Sequence, residues 1–114
     1  MSDHPALIVE RDGAVAVLTN NRGPMNPMTM EYMDALEAVL PQLAADVSVR
    51  ALVFTGAGTE HFSVGMDLKE LMTRADERGG FAAVLDQRRR VLSMIESMGK
   101  PSVATLFGYC LGGG

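Results

Sequence analysis

Near the middle of the chain, Ala51-Leu52-Val53-Phe54-Thr55 forms an unbroken apolar run rich in strand-forming residues, followed at once by Gly56-Ala57-Gly58. A strand with one wet face alternates apolar and polar residues. A run that does not alternate is expected to be buried on both faces, as in parallel sheets covered by helices. The chain must therefore supply helices, and the sequence on either side does so. Thr29 is a natural cap for a helix in which Met30, Met33, Leu36, Leu40 and Leu43 recur at helical spacing, with Glu31 placed to suit the dipole of the first turn. Pro41 predicts a kink or break near Leu40, because an interior proline removes a hydrogen bond and clashes with the preceding turn.

Upstream, Leu7-Ile8-Val9 and Val15-Ala16-Val17-Leu18 flank Arg11-Asp12-Gly13, a strand–turn–strand pattern. Asn20 to Pro27 reads as a loop and Asp46 to Arg50 as a polar connection. Downstream, Thr59 to Gly65 is a loop. Asp67 stands three residues before Glu70, a capping-box-like opening to a short helix through Met72. Arg74 to Gly80 reads as polar and exposed. Phe81 to Met98 is a longer helix with Phe81, Val84, Leu85, Val91, Leu92, Ile95 and Met98 on its inner face and Arg88-Arg89-Arg90 largely outside it. Gly99-Lys100-Pro101 ends that helix, and Ser102 to Phe107 is the next strand. The order β-β-α-β-α-α-β with buried strands indicates an α/β fold. No internal repeat or interdomain linker is visible.

Length and charge narrow the function classes. The 114 residues suffice for one small domain, and a formal net charge of −4 lacks the basic patch of a nucleic-acid binder. A hydrophobic fraction of 47% excludes a disordered chain, and a single cysteine excludes an internal disulfide framework. No apolar stretch is long enough to cross a membrane as a helix, and Met1-Ser2-Asp3-His4 lacks the features of a signal peptide, so a cytoplasmic protein is expected. All charged residues lie at or before Lys100, and the uncharged stretch from Pro101 runs into Gly112-Gly113-Gly114. Native termini tend to be polar and exposed. An apolar run that stops on three glycines is expected of a chain cut where a strand hands over to the next element; a flexible glycine tail is the other reading.

Two glycine-containing strand exits carry the chemical interest: His61-Phe62-Ser63-Val64-Gly65-Met66-Asp67-Leu68-Lys69-Glu70 and Phe107-Gly108-Tyr109-Cys110-Leu111-Gly112-Gly113-Gly114. Free N–H groups at such exits attract negative charge, and two aimed at one oxygen form an oxyanion hole. Glycine at a strand–helix junction equally serves tight packing or a positive φ. Neither exit has the G-x-G-x-x-G or Gly-Lys-Ser/Thr spacing of nucleotide sites. His4 and His61 stand alone without further ligands, so no metal site is expected. Cys110, far from any charge, reads as a small buried residue. Met25, Met28, Met30 and Met33 cluster around the first helix start, as core filling or as an adaptable apolar binding surface.

Taken together and in order, these segments resemble the enoyl-CoA hydratase/isomerase, or crotonase, family. Val15 to Thr19 with Asn21-Arg22 and Asn26-Pro27-Met28-Thr29 is similar to the family's opening strand and loop. The first exit, through Leu71, resembles its strand–loop–helix signature. Lys100-Pro101-Ser102-Val103-Ala104 with Gly108 to Gly114 resembles its second. The resemblance implies a crotonase-like spiral of repeated ββα units, with residues 1–114 forming the N-terminal portion of a single domain. It implies an acyl-CoA thioester carried as substrate rather than a separate cofactor, and a homotrimer or dimer of trimers. The N–H groups of Met66 and Gly113 would form the oxyanion hole. Ser63, Val64, Met66, Asp67, Leu68 and Lys69 would line the coenzyme, with Lys69 and Arg22 meeting its phosphates unless they are simply solvated surface cations.

The sequence departs from the family in three places. Val64 replaces a smaller residue and predicts a tighter adenine pocket, Pro41 falls in a helix usually continuous, and members are considerably longer. The family's general acid/base carboxylates would lie beyond Gly114, whereas Asp67, Glu70, Glu31 and Glu37 look structural. Hydration of a 2-enoyl-CoA or double-bond isomerisation is the first expectation. Dehalogenation, decarboxylation or thioester hydrolysis on the same hole, or a non-catalytic CoA-binding fragment or subunit, are the alternatives.

Overall fold

The computed structural model describes residues 5–114, so the N-terminus read as lacking a signal peptide, with its isolated His4, lies outside the described residues. Strands β1 (Leu7–Asp12) and β2 (Val15–Asn20) form an antiparallel hairpin in which Asp12 pairs with Val15. The loop is thus Gly13-Ala14 rather than one centred on Asp12. Gly13 takes φ +61° there, a conformation cheap only for glycine. Two-residue strand β3 (Pro27–Met28) precedes helix α1 (Met30–Ala45), and β4 (Ala51–Gly56) follows it. Next come β5 (Gly65–Met66), α2 (Leu68–Arg74), a 3-10 turn over Ala75–Arg78, α3 (Phe81–Ser97) and β6 (Ser102–Ala104).

The main sheet runs β1-β2-β4-β6, with β4 parallel to both neighbours. The short β3 and β5 pair in parallel as a second sheet, Pro27 beside Gly65 and Met28 beside Met66. A strand in the large sheet, a strand in the small one and then a helix occur in order twice, as β2-β3-α1 and as β4-β5-α2-α3. A third turn begins with β6 and an isolated parallel bridge from Ser63 to Cys110. This is the spiral of ββα units. Pro27 and Gly65, the last residues of the segments the sequence presents as loops, each open one of these two-residue strands.

Both long helices pack on one face of the sheet. Ala16, Leu18 and Leu52 from the strands meet Leu36, Leu40 and Leu43 of α1 and Val91 of α3 in one core. The other face of β4, with Ala51, Val53 and Thr55, is only half-buried, correcting the expectation of burial on both faces. Helix α1 passes through Pro41 without a break. Burial of Leu40 and Leu43 on either side of the proline, and the Asp46 N–H donating to Gln42 O at 3.1 Å, hold its last turn despite the lost hydrogen bond. On α3, Val84 and Val91 are buried, but Phe81, Leu85 and Leu92 are exposed. Their spacing fits the inner stripe, yet no element lies over them among the described residues. The Arg74 to Gly80 segment also differs, because α2 extends to Arg74 and Ala75 is buried in a second cluster with Met30, Leu71 and Val84. Along the seam of α1, Arg78 of the 3-10 turn and Gln87 of α3 donate to Asp34 at 2.8 and 2.7 Å, and Arg90 of α3 to Glu37 at 2.8 Å.

Candidate active site

The site is assembled by three loops locked to one another through backbone bonds. In the first exit, the Phe62 and Ser63 N–H groups donate to Phe107 O and Tyr109 O at 2.8 and 3.2 Å, and Leu111 N–H donates back to Ser63 O at 3.1 Å. Val64 N–H donates to Met25 O at 3.1 Å, which ties in the loop before α1. The two glycine-rich exits therefore run side by side, although Gly113 comes 47 positions after Met66 in sequence.

Gly65 sits where they touch, at φ +92°. A Cβ there would fall 2.6 Å from Leu111 O and 3.2 Å from Gly113 N. Only a glycine lets the second exit come this close to the first, which brings the Met66 and Gly113 peptides to neighbouring positions. The Gly113 N–H makes no hydrogen bond among the described residues.

The remaining coenzyme-lining candidates divide. Ser63 is buried, and its Oγ accepts from Gly65 N–H at 3.1 Å, so its side chain holds the loop. Asp67 caps α2 by accepting from Glu70 N–H at 3.0 Å. Val64 is half-buried, whereas Leu68 and Lys69 are exposed on the first turn of α2. Lys69 has no carboxylate partner among the described residues. Arg22 lies on the loop before α1, where its guanidinium meets Glu31 at 3.3 Å and the carbonyls of Pro5 and Asn21. Glu70 does not close the capping box on its own helix. Its Oε1 accepts from Met30 N–H at 2.6 Å instead, capping α1 from the neighbouring helix.

Sequence reasoning passed over several residues that build the site. Asn26 is fully buried at φ +49°; its Nδ2 donates to Ala57 O and His61 O at 2.9 and 2.8 Å, and its Oδ1 accepts from Arg22 N–H at 3.2 Å. It staples the loop before α1 to the β4–β5 loop at two points. Asn20 Nδ2 donates to Asn26 O at 2.9 Å. An asparagine in a loop crowded with glycine and proline was the only signal, and it pointed equally to a turn. His61 stacks on Tyr109 with ring centroids 4.4 Å apart, and its Nδ1 accepts from Tyr109 N–H at 3.0 Å, so its role is to hold the second exit. Cys110 is exposed, contrary to the sequence reading, because it follows an edge strand over which nothing packs among the described residues.

Beside Gly113 and Gly114 a cleft of about 400 Å³ opens between the sheet and the helices, bordered by Phe54, Leu92, Ile95 and Ser63. Tyr32 also borders it, and burial pushes its phenol up to about 12, so it stays protonated at neutral pH. Arg88 is not the outward-facing cation that its place in an arginine triplet suggested. It is half-buried against Met28 Sδ, and its guanidinium lies directly beside Gly113.

This architecture, with its paired glycine exits, defines an α/β protein of the crotonase type. The family model for enoyl-CoA hydratase/isomerase matches residues 10–114, and the chain belongs to that family. It is 31% identical over 109 residues to a short-chain-enoyl-CoA hydratase of Clostridium acetobutylicum, covering 95% of this chain and 41% of that one. It is 33% identical to a probable enoyl-CoA hydratase of Bacillus subtilis, covering 96% of this chain and 42% of the relative. Among solved structures, an enoyl-CoA hydratase/carnithine racemase from Magnetospirillum magneticum superposes with a TM-score of 0.82 at 26% identity, over 93% of this chain and 40% of its own. Pseudomonas aeruginosa DspI does so with a TM-score of 0.79 at 32% identity, over 100% of this chain and 43% of its own. The chain thus spans about two fifths of the length of the relatives it matches.

Proposed function

We propose that this chain carries the oxyanion hole and coenzyme-binding edge of an enzyme acting on acyl-CoA thioesters, hydrating a 2-enoyl-CoA or isomerising its double bond. The single observation that supports this reading is the close approach of Gly65 to the second exit, where a Cβ would fall 2.6 Å from Leu111 O and 3.2 Å from Gly113 N. Addition to an enoyl thioester, or proton transfer next to its carbonyl, piles negative charge on the thioester oxygen. Donors on Met66 and Gly113 stabilise that charge without reorganising, and loss of one such donor in other enzymes lowers kcat by about 10²–10³-fold. Because the donors are peptides, the Met66 side chain is free to be apolar. Its neighbours Asp67 and Glu70 are occupied as helix caps and act structurally.

The coenzyme would lie along Ser63 to Lys69, with the exposed Lys69 ammonium meeting a phosphate. Arg22 would reach a phosphate only by giving up Glu31. No described helix is long and apolar enough to cross a membrane. A homotrimer, or a dimer of trimers, rests on the family resemblance, and a cytoplasmic location on the reading of Met1-Ser2-Asp3-His4 and the lack of a long apolar stretch.

The test is a pair of substitutions at one residue. Met66→Ala keeps the N–H, so most turnover of a short 2-enoyl-CoA should survive. Met66→Pro removes it, and kcat should fall by about 10²–10³-fold while free CoA, which has no thioester carbonyl, binds nearly as before. A Met66→Pro protein with a native circular dichroism spectrum and turnover within a few-fold of the parent refutes the reading.

A further inference from the structure

Most guanidiniums around α1, α2 and α3 have an acid. Arg74 meets Glu70 and Glu77, Arg78 meets Asp34, and Arg90 meets Glu37. Arg88 is half-buried and has none among the described residues. Among the described residues its guanidinium hydrogen-bonds only to Met28 Sδ, at 3.7 Å from one terminal nitrogen and 3.8 Å from the other, and a thioether is a weak acceptor. Burial lowers its pKa from the ordinary arginine value, but arginine stays charged in proteins. Two carboxylates border the same small space, Asp67 and Glu70, and both already accept from helix N–H groups. A half-buried cation whose neighbouring carboxylates are already engaged elsewhere favours the arrival of a further anion.

The position of this cation is specific. A Cβ built on Gly113 would lie 2.8 Å from Arg88 Cζ, and Arg88 shares the lining of that space with Met28 and Met66. The guanidinium therefore flanks the paired peptides where the thioester carbonyl would sit. We propose that Arg88 binds a carboxylate on the acyl chain, so that the preferred substrates are CoA half-thioesters of dicarboxylic acids. This inference rests on the acyl-CoA reading above. The planar fork of arginine matches a carboxylate with two parallel hydrogen bonds. A coenzyme phosphate fits less well, because the exposed cation for it, Lys69, stands on the first turn of α2, whereas Arg88 lies among thioethers beside Gly113.

The experiment is isothermal titration of the full chain with glutaryl-CoA, valeryl-CoA and free CoA, for the parent, Arg88→Gln and Arg88→Lys. Glutaryl and valeryl groups have the same chain length and differ by the terminal carboxylate. In the parent, glutaryl-CoA should bind at least about 10-fold more tightly than valeryl-CoA, as a charge-assisted pair would give. Arg88→Gln should bring that ratio near one, with valeryl-CoA and free CoA shifted by less than about 3-fold. Arg88→Lys should retain part of the preference, since it keeps the charge and loses the fork. Equal affinities of the parent for the two thioesters overturn the proposal. So does an Arg88→Gln protein that weakens all three ligands alike, which would mean a phosphate contact or a general packing role. A parent that binds none of the three overturns the acyl-CoA reading as well, whereas retained valeryl-CoA binding with no glutaryl preference removes only the role of Arg88.

Discussion

Gly65→Ala would perturb the one point where the two exits touch. Two costs add at this residue. A side chain at φ +92° is strained, worth about 1–2 kcal/mol for an L-residue in the left-handed region. Its Cβ would also stand 2.6 Å from Leu111 O, a backbone atom that moves only if the second exit moves. Relief of such overpacking is worth about 1–3 kcal/mol more. Gly58 isolates the first cost, because it has φ +78° and nothing within 4 Å of its built Cβ. Urea unfolding of both variants at matched m-value should show Gly58→Ala losing about 1–2 kcal/mol and Gly65→Ala about 2–5 kcal/mol. The same displacement carries Gly113 away from Met66. A misplacement of about 1 Å suffices for a 10²-fold loss of rate, so kcat on a 2-enoyl-CoA should drop by that order in Gly65→Ala and change little in Gly58→Ala. If Gly65→Ala is no less stable than Gly58→Ala, the close approach does not govern this site and the reasoning fails.

Asn26→Ala removes two donors and one acceptor from a fully buried position, and should destabilise by about 3 kcal/mol or more, with faster hydrogen exchange at Arg22; a loss under about 1 kcal/mol would contradict its role as staple. Glu70→Ala should cost about 1 kcal/mol by uncapping α1, while Glu70→Gln, which still offers an oxygen to Met30 N–H, should recover most of it. Burial alone would raise the Asp34 carboxyl, but hydrogen bonds from Arg78 and Gln87 outweigh it and hold the group below 3.8; the hydrogen bond from Arg90 holds Glu37 below 4.5. The unfolded chain then binds more protons than the folded one in this range, so the stability these groups add is present above about pH 4.5 and lost as pH falls through their lowered values. Stability measured from pH 6 down to pH 3 should fall less steeply in Asp34→Asn than in the parent, and equal slopes would show the seam adds nothing.

Short-range features of this protein were legible in its sequence because their partners lie within a turn or two. Thr29 Oγ1 accepts from Tyr32 N–H at 3.1 Å and Asp67 accepts from Glu70 N–H, as the local pattern of each cap required. The hairpin, the buried stripe of α1 from Met30 to Leu43 and the α/β order of elements rest on the same local periodicities. The two glycine exits also stood out in the sequence, although glycine by itself marks any turn, and the fold brings them side by side.

Other features depended on neighbours that only the fold brings into contact. Strands β3 and β5, two residues each, exist because the chain returns to the same place 38 residues later, and no two-residue window carries a periodicity. The Glu70 side chain could reach its own helix or another orphan N–H, and the packing of α2 beside α1 sent it to Met30. Helical spacing put Phe81, Leu85 and Leu92 with the inner stripe of α3, but a stripe is buried only where another element lies over it. Arg88 shows the reverse. Its position in a basic triplet predicted solvent, and the approach of Gly113, without a Cβ to keep the guanidinium away, placed it at the site. A sequence specifies torsion preferences and which side chains avoid water; which atoms then meet is decided by the closure of the chain on itself.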